Sequence, residues 1–293
     1  MSKFLNMENG GPSRTALATA YARAYHQIAD RPQIFTDPLA VRLLGVTAEE
    51  LTKLATPTTD HLGAGAIDQP RRLFFAARAR FAEDAVAAAI ADGVRQVVIL
   101  GAGLDTFAYR NPRPDLRVFE VDHPATQAWK RERLASAGID RPETLTFVPV
   151  DFETQPLATG LESAGFKRTD PAVFVWLGVV FYLTANAAHA TLEYIAGQAQ
   201  PVEVVFDYLQ PAATDEDRAH QRARADRLAG AGEPLFSYFT TDDIAAQLHA
   251  LGFTGIEDHS APDLIAGYLH GSAGFEGEPP RALRASRILH ASR

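Results

Sequence analysis

Cysteine is absent from this 293-residue chain. The absence excludes a disulfide framework, a thiolate metal site and a thiol nucleophile. Clustered positive charge is also scarce: no run of adjacent basic residues is longer than two, as in Arg71-Arg72, and the formal net charge is −8. Because nucleic-acid binding needs a concentrated cationic surface, we expect no nucleic-acid partner.

Long apolar segments are missing as well. The longest apolar stretch, "AVFVWLGVVFYL" (172–183), is shorter than the roughly 20 residues that a membrane-spanning helix needs. The N-terminal "MSKFLNMENGGPSR" is polar and lacks the apolar segment of a signal peptide. We therefore expect a cytoplasmic protein without a membrane partner.

What the chain does contain is a regular alternation of apolar runs and helical segments. The runs predict strands at 95–100, 117–121, 145–150, 172–179 and 202–208, with helices at 124–137, 155–164 and 184–199. Alternating strands and helices predict an α/β fold with a doubly wound, Rossmann-like parallel sheet covered on both faces.

The remaining segments extend this unit at its start and near its end. Residues 1–69 are predicted as a helical extension with helices at 14–29 and 38–44 and a loop at 56–68; the long helix 70–91 follows. After the fifth strand, 209–240 is predicted as a mostly helical insertion, followed by a helix at 241–251 and strands near 254–259 and 284–291. We interpret 1–293 as one domain.

The first strand of the alternation ends in a glycine turn, within "VVILGAGLDTFAYR" (97–110). A strand that ends on Gly101-Ala102-Gly103 can bring bare main chain close to a ligand. A dinucleotide fingerprint needs a third small residue, and Thr106 occupies that place. The turn alone leaves two interpretations open, a nucleotide-type ligand or a tight turn with no ligand.

Acidic residues end the next two strands. Glu120 and Asp122 stand 19 and 21 positions after Gly101, where a carboxylate can accept hydrogen bonds from a ribose diol. Asp151 and Phe152 end the third strand and could bind an adenine amino group and cover the ring. Solvated carboxylates and a core aromatic are the alternative. Together the three strand ends suggest an adenosine moiety without pyrophosphate, a shape that S-adenosylmethionine has.

Several motifs resemble the bacterial branch of the leucine carboxyl methyltransferase family. They are "PSRTALATAYARA" (12–24), "FTDPLA" (35–40), "FFAARAR" (74–80), the glycine turn, "FEVDHP" (119–124), "FVPVDF" (147–152) and "VWLGVVFYLT" (175–184). The resemblance runs from about residue 12 to 208. It implies a class I Rossmann-like fold and an S-adenosylmethionine-dependent O-methyltransferase.

The resemblance also implies a set of cofactor-binding residues. An arginine before the first strand binds the cofactor carboxylate in the family, and Arg78 matches it. The other matching or adjoining positions are Gly101, Ala102, Gly103, Glu120, Asp122, Asp151 and Phe152. One position departs from the family, since Leu177 stands where a glutamate often contacts the cofactor.

The acceptor side is less defined. The partner is expected to be a small-molecule methyl acceptor, and no metal is expected. A carboxylate acceptor is already ionised at neutral pH, whereas a phenol benefits from a general base. His123 is the candidate base and Tyr182 the candidate residue beside the acceptor. Aromatic residues that could line an acceptor pocket, or equally the core, are Tyr21, Tyr25, His26, Phe236, Tyr238 and Phe239.

Two other functions stay open at this point. A nicotinamide-dependent oxidoreductase could use a similar sheet, although no Tyr-x-x-x-Lys or comparable hydride-transfer constellation occurs. A non-catalytic S-adenosylmethionine-binding protein is also compatible, because Leu177 removes one polar cofactor contact.

Overall fold

The sheet has seven strands. The computed structural model describes residues 14–54, 68–152, 155–230, 232–269 and 278–293. The strands are β1 (Gln96–Leu100), β2 (Arg117–Asp122), β3 (Leu145–Pro149), β4 (Ala172–Trp176), β5 (Val202–Leu209), β6 (Gly255–Ser260) and β7 (Ser286–Ser292).

The strand order is β3-β2-β1-β4-β5-β7-β6. Strands β1 to β5 pair in parallel, and β7 lies antiparallel between β5 and β6. The order reverses between β1 and β4, which is where a doubly wound sheet opens a crevice at the carboxyl ends of its strands. The predicted fold class is confirmed.

Twelve helices connect or cover these strands within the described residues. They are α1 (Arg14–Ala29), α2 (Ala40–Leu44), α3 (Ala48–Leu54), α4 (Gln69–Ala91), α5 (Phe107–Arg110), α6 (Pro124–Ser136), α7 (Leu157–Ser163), α8 (Ala185–Ala196), α9 (Asp215–Gly230), α10 (Thr241–Ala250), α11 (Ala261–Tyr268) and α12 (Arg281–Arg284). A single 3-10 turn, Val180–Tyr182, follows β4.

Each central strand packs both of its faces into apolar layers. In β1, Val97 and Ile99 join α4 and α11 in one core, whereas Val98 and Leu100 join α7, α8 and α10 in the other. Successive side chains of a strand point to opposite faces, so a strand buried on both sides is apolar except where a polar side chain has a buried partner, as Gln96 has in the main chain of Lys167. All five residues of β1 are buried.

A buried polar cluster fixes the N-terminal helix to the long helix α4. Arg72 donates to both carboxylate oxygens of Asp30, at 2.6 and 2.7 Å, and His26 Nδ1 contacts Asp30 at 2.9 Å. Burial acts to raise the pKa of Asp30, but the bonds from Arg72 and His26 outweigh it and lower the pKa to about 2. Arg72 and His26 therefore serve the packing of α1 on α4.

A few predicted boundaries differ from the structure for local reasons. The fourth strand ends at Trp176 rather than at 179, because Gly178 adopts a φ of 76° and turns the chain. Helix α2 begins at Ala40 rather than at 38, and α11 was not predicted. Of the predicted loop 56–68, all but Asp68 lies outside the described residues, as do residues 1–13 of the extension.

Candidate active site

A cavity of about 250 Å³ opens at the carboxyl ends of the central strands. Eight of the ten residues that were predicted to bind the cofactor or take part in catalysis line it: Arg78, Gly101, Ala102, Gly103, Asp122, His123, Phe152 and Tyr182. Glu120 and Asp151 are not among the lining residues. The fold thus brings together residues from α4, from the turn after β1 and from the ends of β2, β3 and β4.

The glycine turn presents main chain to this cavity. Gly101 and Gly103 have φ values of 64° and 46°, a region that glycine enters without steric cost. A Cβ at Gly101 would clash with Cγ2 of Val179, in the loop after β4. Glycine at position 101 is therefore required both by its backbone angles and by the close approach of that loop.

Asp122 is tied to the glycine turn by hydrogen bonds. The N–H of Gly103 donates to Asp122 Oδ2 at 2.5 Å, and the N–H of His123 donates to Oδ1 at 2.7 Å. Burial raises the pKa of Asp122, while these two donors act in the opposite direction. Each carboxylate oxygen keeps acceptor capacity beyond its backbone bond. A pair of neighbouring hydroxyls, such as a ribose diol, fits this carboxylate.

Glu120 takes a different position from the one its place in the sequence suggested. It is 1% exposed, and Lys130 of α6 donates to its Oε2 at 2.6 Å. Burial raises the pKa of Glu120, with the Lys130 ammonium opposing the shift. The pair lies outside the lining of the cavity, so a contact between Glu120 and the cofactor stays a prediction, as does the one for Asp151.

Arg78 reaches the cavity from the face of α4 that it shares with Phe75, Ala82 and Glu83. It is 5% exposed, its Nη1 donates to Asp207 Oδ2, and its guanidinium carbon lies 4.7 Å from the centre of the Phe75 ring. Oδ1 of Asp207 accepts the N–H of Gly178 at 2.5 Å. Asp207 thus connects the arginine to the turn after β4.

Sequence reasoning missed Asp207. The signal was present, because it is the only carboxylate inside the otherwise apolar "VVFDYL" at the end of the fifth strand. A charged side chain in a strand that is buried on both faces needs a buried partner. Its partner Arg78 is 129 positions away in the chain, so the sequence alone did not identify the pair.

Asp37 of the "FTDPLA" motif joins the N-terminal extension to the glycine turn. It is fully buried and lies 3.6 Å from both Arg23 and Arg110. Arg23 donates to the carbonyl oxygen of Leu104 at 2.8 Å, and Arg110 donates to Glu83 at 3.0 Å. The motif therefore supports the loop that follows the glycines.

Tyr182 borders the cavity at the end of a short hydrogen-bonded chain. Its hydroxyl lies 2.9 Å from Thr15 Oγ1, and Thr15 donates to Glu233 at 2.6 Å. Since the one hydroxyl proton of Thr15 goes to Glu233, Tyr182 donates to Thr15. Burial raises the pKa of Tyr182 to about 12, so the phenol is protonated at neutral pH. It can act as a hydrogen-bond donor, and it is not a base under these conditions.

The other candidates for the acceptor side have local structural contacts. His123 is exposed and caps α6, where its Nδ1 accepts the N–H of Ala125 at 3.2 Å. Leu177 lines the cavity and packs against the apolar core, so the wall is apolar where the family often has a glutamate. The six candidate aromatic positions do not line the cavity: Tyr21, Tyr25, His26, Phe236, Tyr238 and Phe239.

The described residues contain neither of two other kinds of site. None of their helices combines the length and the apolar character that crossing a membrane requires. Their His, Asp and Glu side chains form no group of three or more that could hold a metal ion.

The sequence is similar to known proteins over most of its length. The pattern of the family described as "Leucine carboxyl methyltransferase" matches residues 16–196. A Bacillus subtilis protein named "Putative S-adenosyl-L-methionine-dependent methyltransferase YktD" is 32% identical over 285 residues, which are 88% of this chain and 91% of that protein. A Mycolicibacterium gilvum protein, also named "Putative S-adenosyl-L-methionine-dependent methyltransferase", is 32% identical over 84% of this chain and 79% of that protein.

Solved structures share the fold at low sequence identity. A Thermobifida fusca structure, described as a "putative methyltransferase", has a TM-score of 0.56 and 15% identity, and the match covers 98% of this chain and 96% of that one. A "duf574 family protein" from Streptomyces avermitilis has a TM-score of 0.51 and 16% identity, with 93% and 96% covered.

The fold and the sequence similarities define the class of this protein. It is an S-adenosylmethionine-dependent methyltransferase with a class I Rossmann-like fold. A transferase is thus favoured over the nicotinamide-dependent oxidoreductase that the sheet alone had left open. Within the class, the chain belongs to the leucine carboxyl methyltransferase family, as the motifs indicated.

Proposed function

We propose that this protein is an O-methyltransferase that transfers the methyl group of S-adenosylmethionine to a carboxylate or hydroxyl oxygen of a small molecule. The observation that carries the proposal is the single cavity that the glycine turn, Asp122, Arg78 and Tyr182 share. The proposal treats 1–293 as one catalytic domain whose extension (1–69) and insertion (209–240) serve the acceptor side.

The residues of the cavity fit the cofactor group by group. Asp122 would accept the ribose hydroxyls, and the bare main chain at 101–103 would run along the methionyl part. Arg78 would bind the methionyl carboxylate, because a guanidinium has five N–H donors and its hydrogen bond to Asp207 uses one of them. Phe152 would lie against the adenine.

Bound S-adenosylmethionine would supply an electrophilic methyl group on a sulfonium. The chain's own contribution is to hold both reactants in line and to keep water away, and orientation of this kind can lower a barrier by roughly 7–11 kcal/mol. The apolar side chains of Phe75, Leu177 and Val179 in the cavity wall favour a dry reaction space.

Tyr182 would border the acceptor at the end of the fourth strand, where the acceptor meets the methyl group. Because its one hydroxyl proton goes to Thr15, its oxygen would accept a hydrogen bond from a hydroxyl of the acceptor and so orient it. Burial keeps the phenol protonated, so it does not act as a base. His123 remains the candidate base for a hydroxyl acceptor, but its Nδ1 accepts the N–H of Ala125, which leaves the proton of the neutral ring on Nε2. To act as a base, the ring would have to release this cap of α6. A carboxylate acceptor would need neither residue as a base.

Methyl transfer from radiolabelled S-adenosylmethionine to a panel of small carboxylates and phenols tests the proposal. The expected result is labelled product with at least one acceptor, and lability of the label to mild alkali distinguishes a methyl ester from a methyl ether. Tight binding of S-adenosylhomocysteine without turnover on the whole panel would favour the non-catalytic alternative.

A further inference from the structure

Helix α9 differs from the other long helices because it is polar on all sides. None of its side chains is fully buried, and it carries four arginines, at positions 218, 222, 224 and 227. A helix without an apolar face gains little from packing on the protein body. Its polar side chains therefore need another explanation, and Arg224 offers one.

A second cavity, of about 180 Å³, lies between α9 and the segment around α12. Its lining begins at Gln210, three positions after Asp207, and so adjoins the end of β5 where Arg78 is held. Three arginines line it against a single carboxylate: Arg224, Arg281, Arg284 and Asp217. This is a local excess of positive charge on a chain whose net charge is −8.

Two of these arginines already have carboxylate partners. Arg284 donates to Glu278 at 2.7 Å and lies 3.3 Å from Asp217, and Arg281 pairs with Glu216. Their charges are largely balanced, and they hold α9 against α12.

Arg224 has no such partner. It makes no hydrogen bond or ion pair with any part of the chain that the structure describes. On the same helix, one turn earlier, Nε2 of His220 is buried and also lacks a partner there. Burial lowers the pKa of Arg224, and the positive charge of the nearby Arg71 lowers it further. A half-buried cation that faces a cavity without a counter-charge is costly unless a ligand supplies one.

The position of Arg224 relates this cavity to the proposed reaction. Tyr182 and Asp207 are near enough for their charges to act on Arg224 as well. Tyr182 lines the first cavity and Arg224 the second, so the two cavities are within electrostatic reach of each other at this pair of residues.

We propose that Arg224 and His220 form a subsite for an oxyanion group, carboxylate or phosphate, of the methyl acceptor. The proposal deepens the proposed function and rests on it. A guanidinium can hold two oxygens of such a group in parallel, and a neutral imidazole can donate from Nε2. Gln210 and Gln221, whose amides bond the main chain, form part of the remaining wall. The rest is formed by small apolar residues, which suits an acceptor with a short apolar part beside its charge: Pro211, Ala212, Ala213 and Ala285.

The test compares ligands that share a phenyl ring and carry either an anionic or a neutral group. Their binding is measured by calorimetry or ligand-observed NMR in the absence of S-adenosylmethionine. Benzoate, phenyl phosphate and the neutral benzamide are titrated into the wild type and into Arg224→Ala. Arg222→Ala is the matched control, because Arg222 is exposed on the same helix and has no partner among the described residues. Arg224→Lys keeps the positive charge but lacks the planar guanidinium. It provides a second, milder variant in case the alanine variant does not fold.

The expected result is that benzoate or phenyl phosphate binds and benzamide does not. Arg224→Ala should lower the affinity for the anion by tenfold or more. Arg224→Lys should lower this affinity by less, and Arg222→Ala by less than twofold. The tighter of the two anions identifies the group as carboxylate or phosphate.

Equal binding of benzamide and benzoate, no binding of either anion, or equal behaviour of the two alanine variants would overturn the subsite. So would a matching loss of S-adenosylhomocysteine affinity in Arg224→Ala, because Arg224 would then belong to the cofactor. If S-adenosylhomocysteine fails to bind the wild type while the anion still depends on Arg224, the proposed function fails and the subsite stands.

Discussion

The proposed cofactor side and the proposed acceptor side of this molecule are built in contrasting ways. On the cofactor side, the main chain of the glycine turn and the carboxylate of Asp122 are fixed by bonds of 2.5 and 2.7 Å at the ends of buried strands. On the acceptor side, α9 exposes its side chains and Arg224 lacks a partner within the described residues. The first region is shaped before any ligand arrives, whereas the second contains a charge that a ligand would neutralise.

This contrast indicates which half of the site is general and which is specific. A rigid cradle of main chain suits a cofactor shared by a whole class of enzymes. A polar helix with an unpaired cation can change its side chains without disturbing the sheet, and so can adapt to a particular acceptor.

The largest expected effect concerns the buried pair that supports the cofactor side. Glu120→Ala leaves the Lys130 ammonium buried without its partner and should lower the free energy of unfolding by about 3–5 kcal/mol, measured by urea denaturation. The double variant Glu120→Leu with Lys130→Met removes both charges and should recover most of the loss. A single variant as stable as the wild type would contradict the assignment of Glu120 to the core.

A smaller loss of stability is expected for the glycine turn. Gly101→Ala combines a strained φ with a clash against Val179, and should lower the free energy of unfolding by about 2–4 kcal/mol. Gly138→Ala is the matched control, because Gly138 has a φ of 62° and open space around its Cα. It should lose only about 1–2 kcal/mol. Equal losses at the two positions would show that the contact with Val179 does not matter.

Cofactor affinity should respond strongly to Asp122, while the free energy of unfolding should fall by about 1 kcal/mol, because an amide keeps only one of the two oxygens that accept the N–H groups of Gly103 and His123. Asp122→Asn removes a charged hydrogen-bond acceptor and should lower the affinity for S-adenosylhomocysteine by roughly tenfold to a hundredfold, since hydrogen bonds to charged groups contribute about 1.5–3 kcal/mol. Calorimetric titration measures this affinity. Asp140→Asn is the control, because Asp140 is an exposed acidic residue on another loop. If the two variants bind alike, the ribose contact of Asp122 is wrong.

The smallest expected effect is that of Tyr182 on the acceptor side. Tyr182→Phe removes one hydrogen bond and should lower the rate of methyl transfer by less than about tenfold, consistent with a loss of about 1 kcal/mol. Tyr194→Phe is a matched control, because its hydroxyl is buried without a partner among the described residues, and its pKa is likewise raised to about 12. An unchanged rate in Tyr182→Phe would count against any role of the hydroxyl.

The sheet and the cofactor side followed from the sequence because their signals are local. Apolar runs such as "VVIL" are contiguous, and the glycine turn together with Asp122 lies within about 20 residues of chain. Asp122 could therefore be placed from its distance to Gly101. Glu120 has almost the same spacing and shares a strand face with Asp122, yet it lies two residues further inside β2, where Lys130 of α6 binds it, whereas Asp122 stands at the end of the strand beside the cavity.

Pairs that join distant segments could not be derived in this way. The bond between Arg78 and Asp207 spans 129 positions, and that between Thr15 and Glu233 spans 218. The second cavity depends on how α9 meets α12, which is a matter of packing rather than of sequence periodicity. Arg72 illustrates the same limit, since it is 7% exposed and its buried partner Asp30 lies 42 positions earlier in the chain.

The most direct test of the central claim is a crystal structure of the complex with S-adenosylhomocysteine. The account predicts that Asp122 accepts hydrogen bonds from both ribose hydroxyls and that the main chain of residues 101–103 touches the homocysteine portion. A nucleoside bound elsewhere, or a carboxylate at position 122 that contacts only Gly103 and His123, would contradict it.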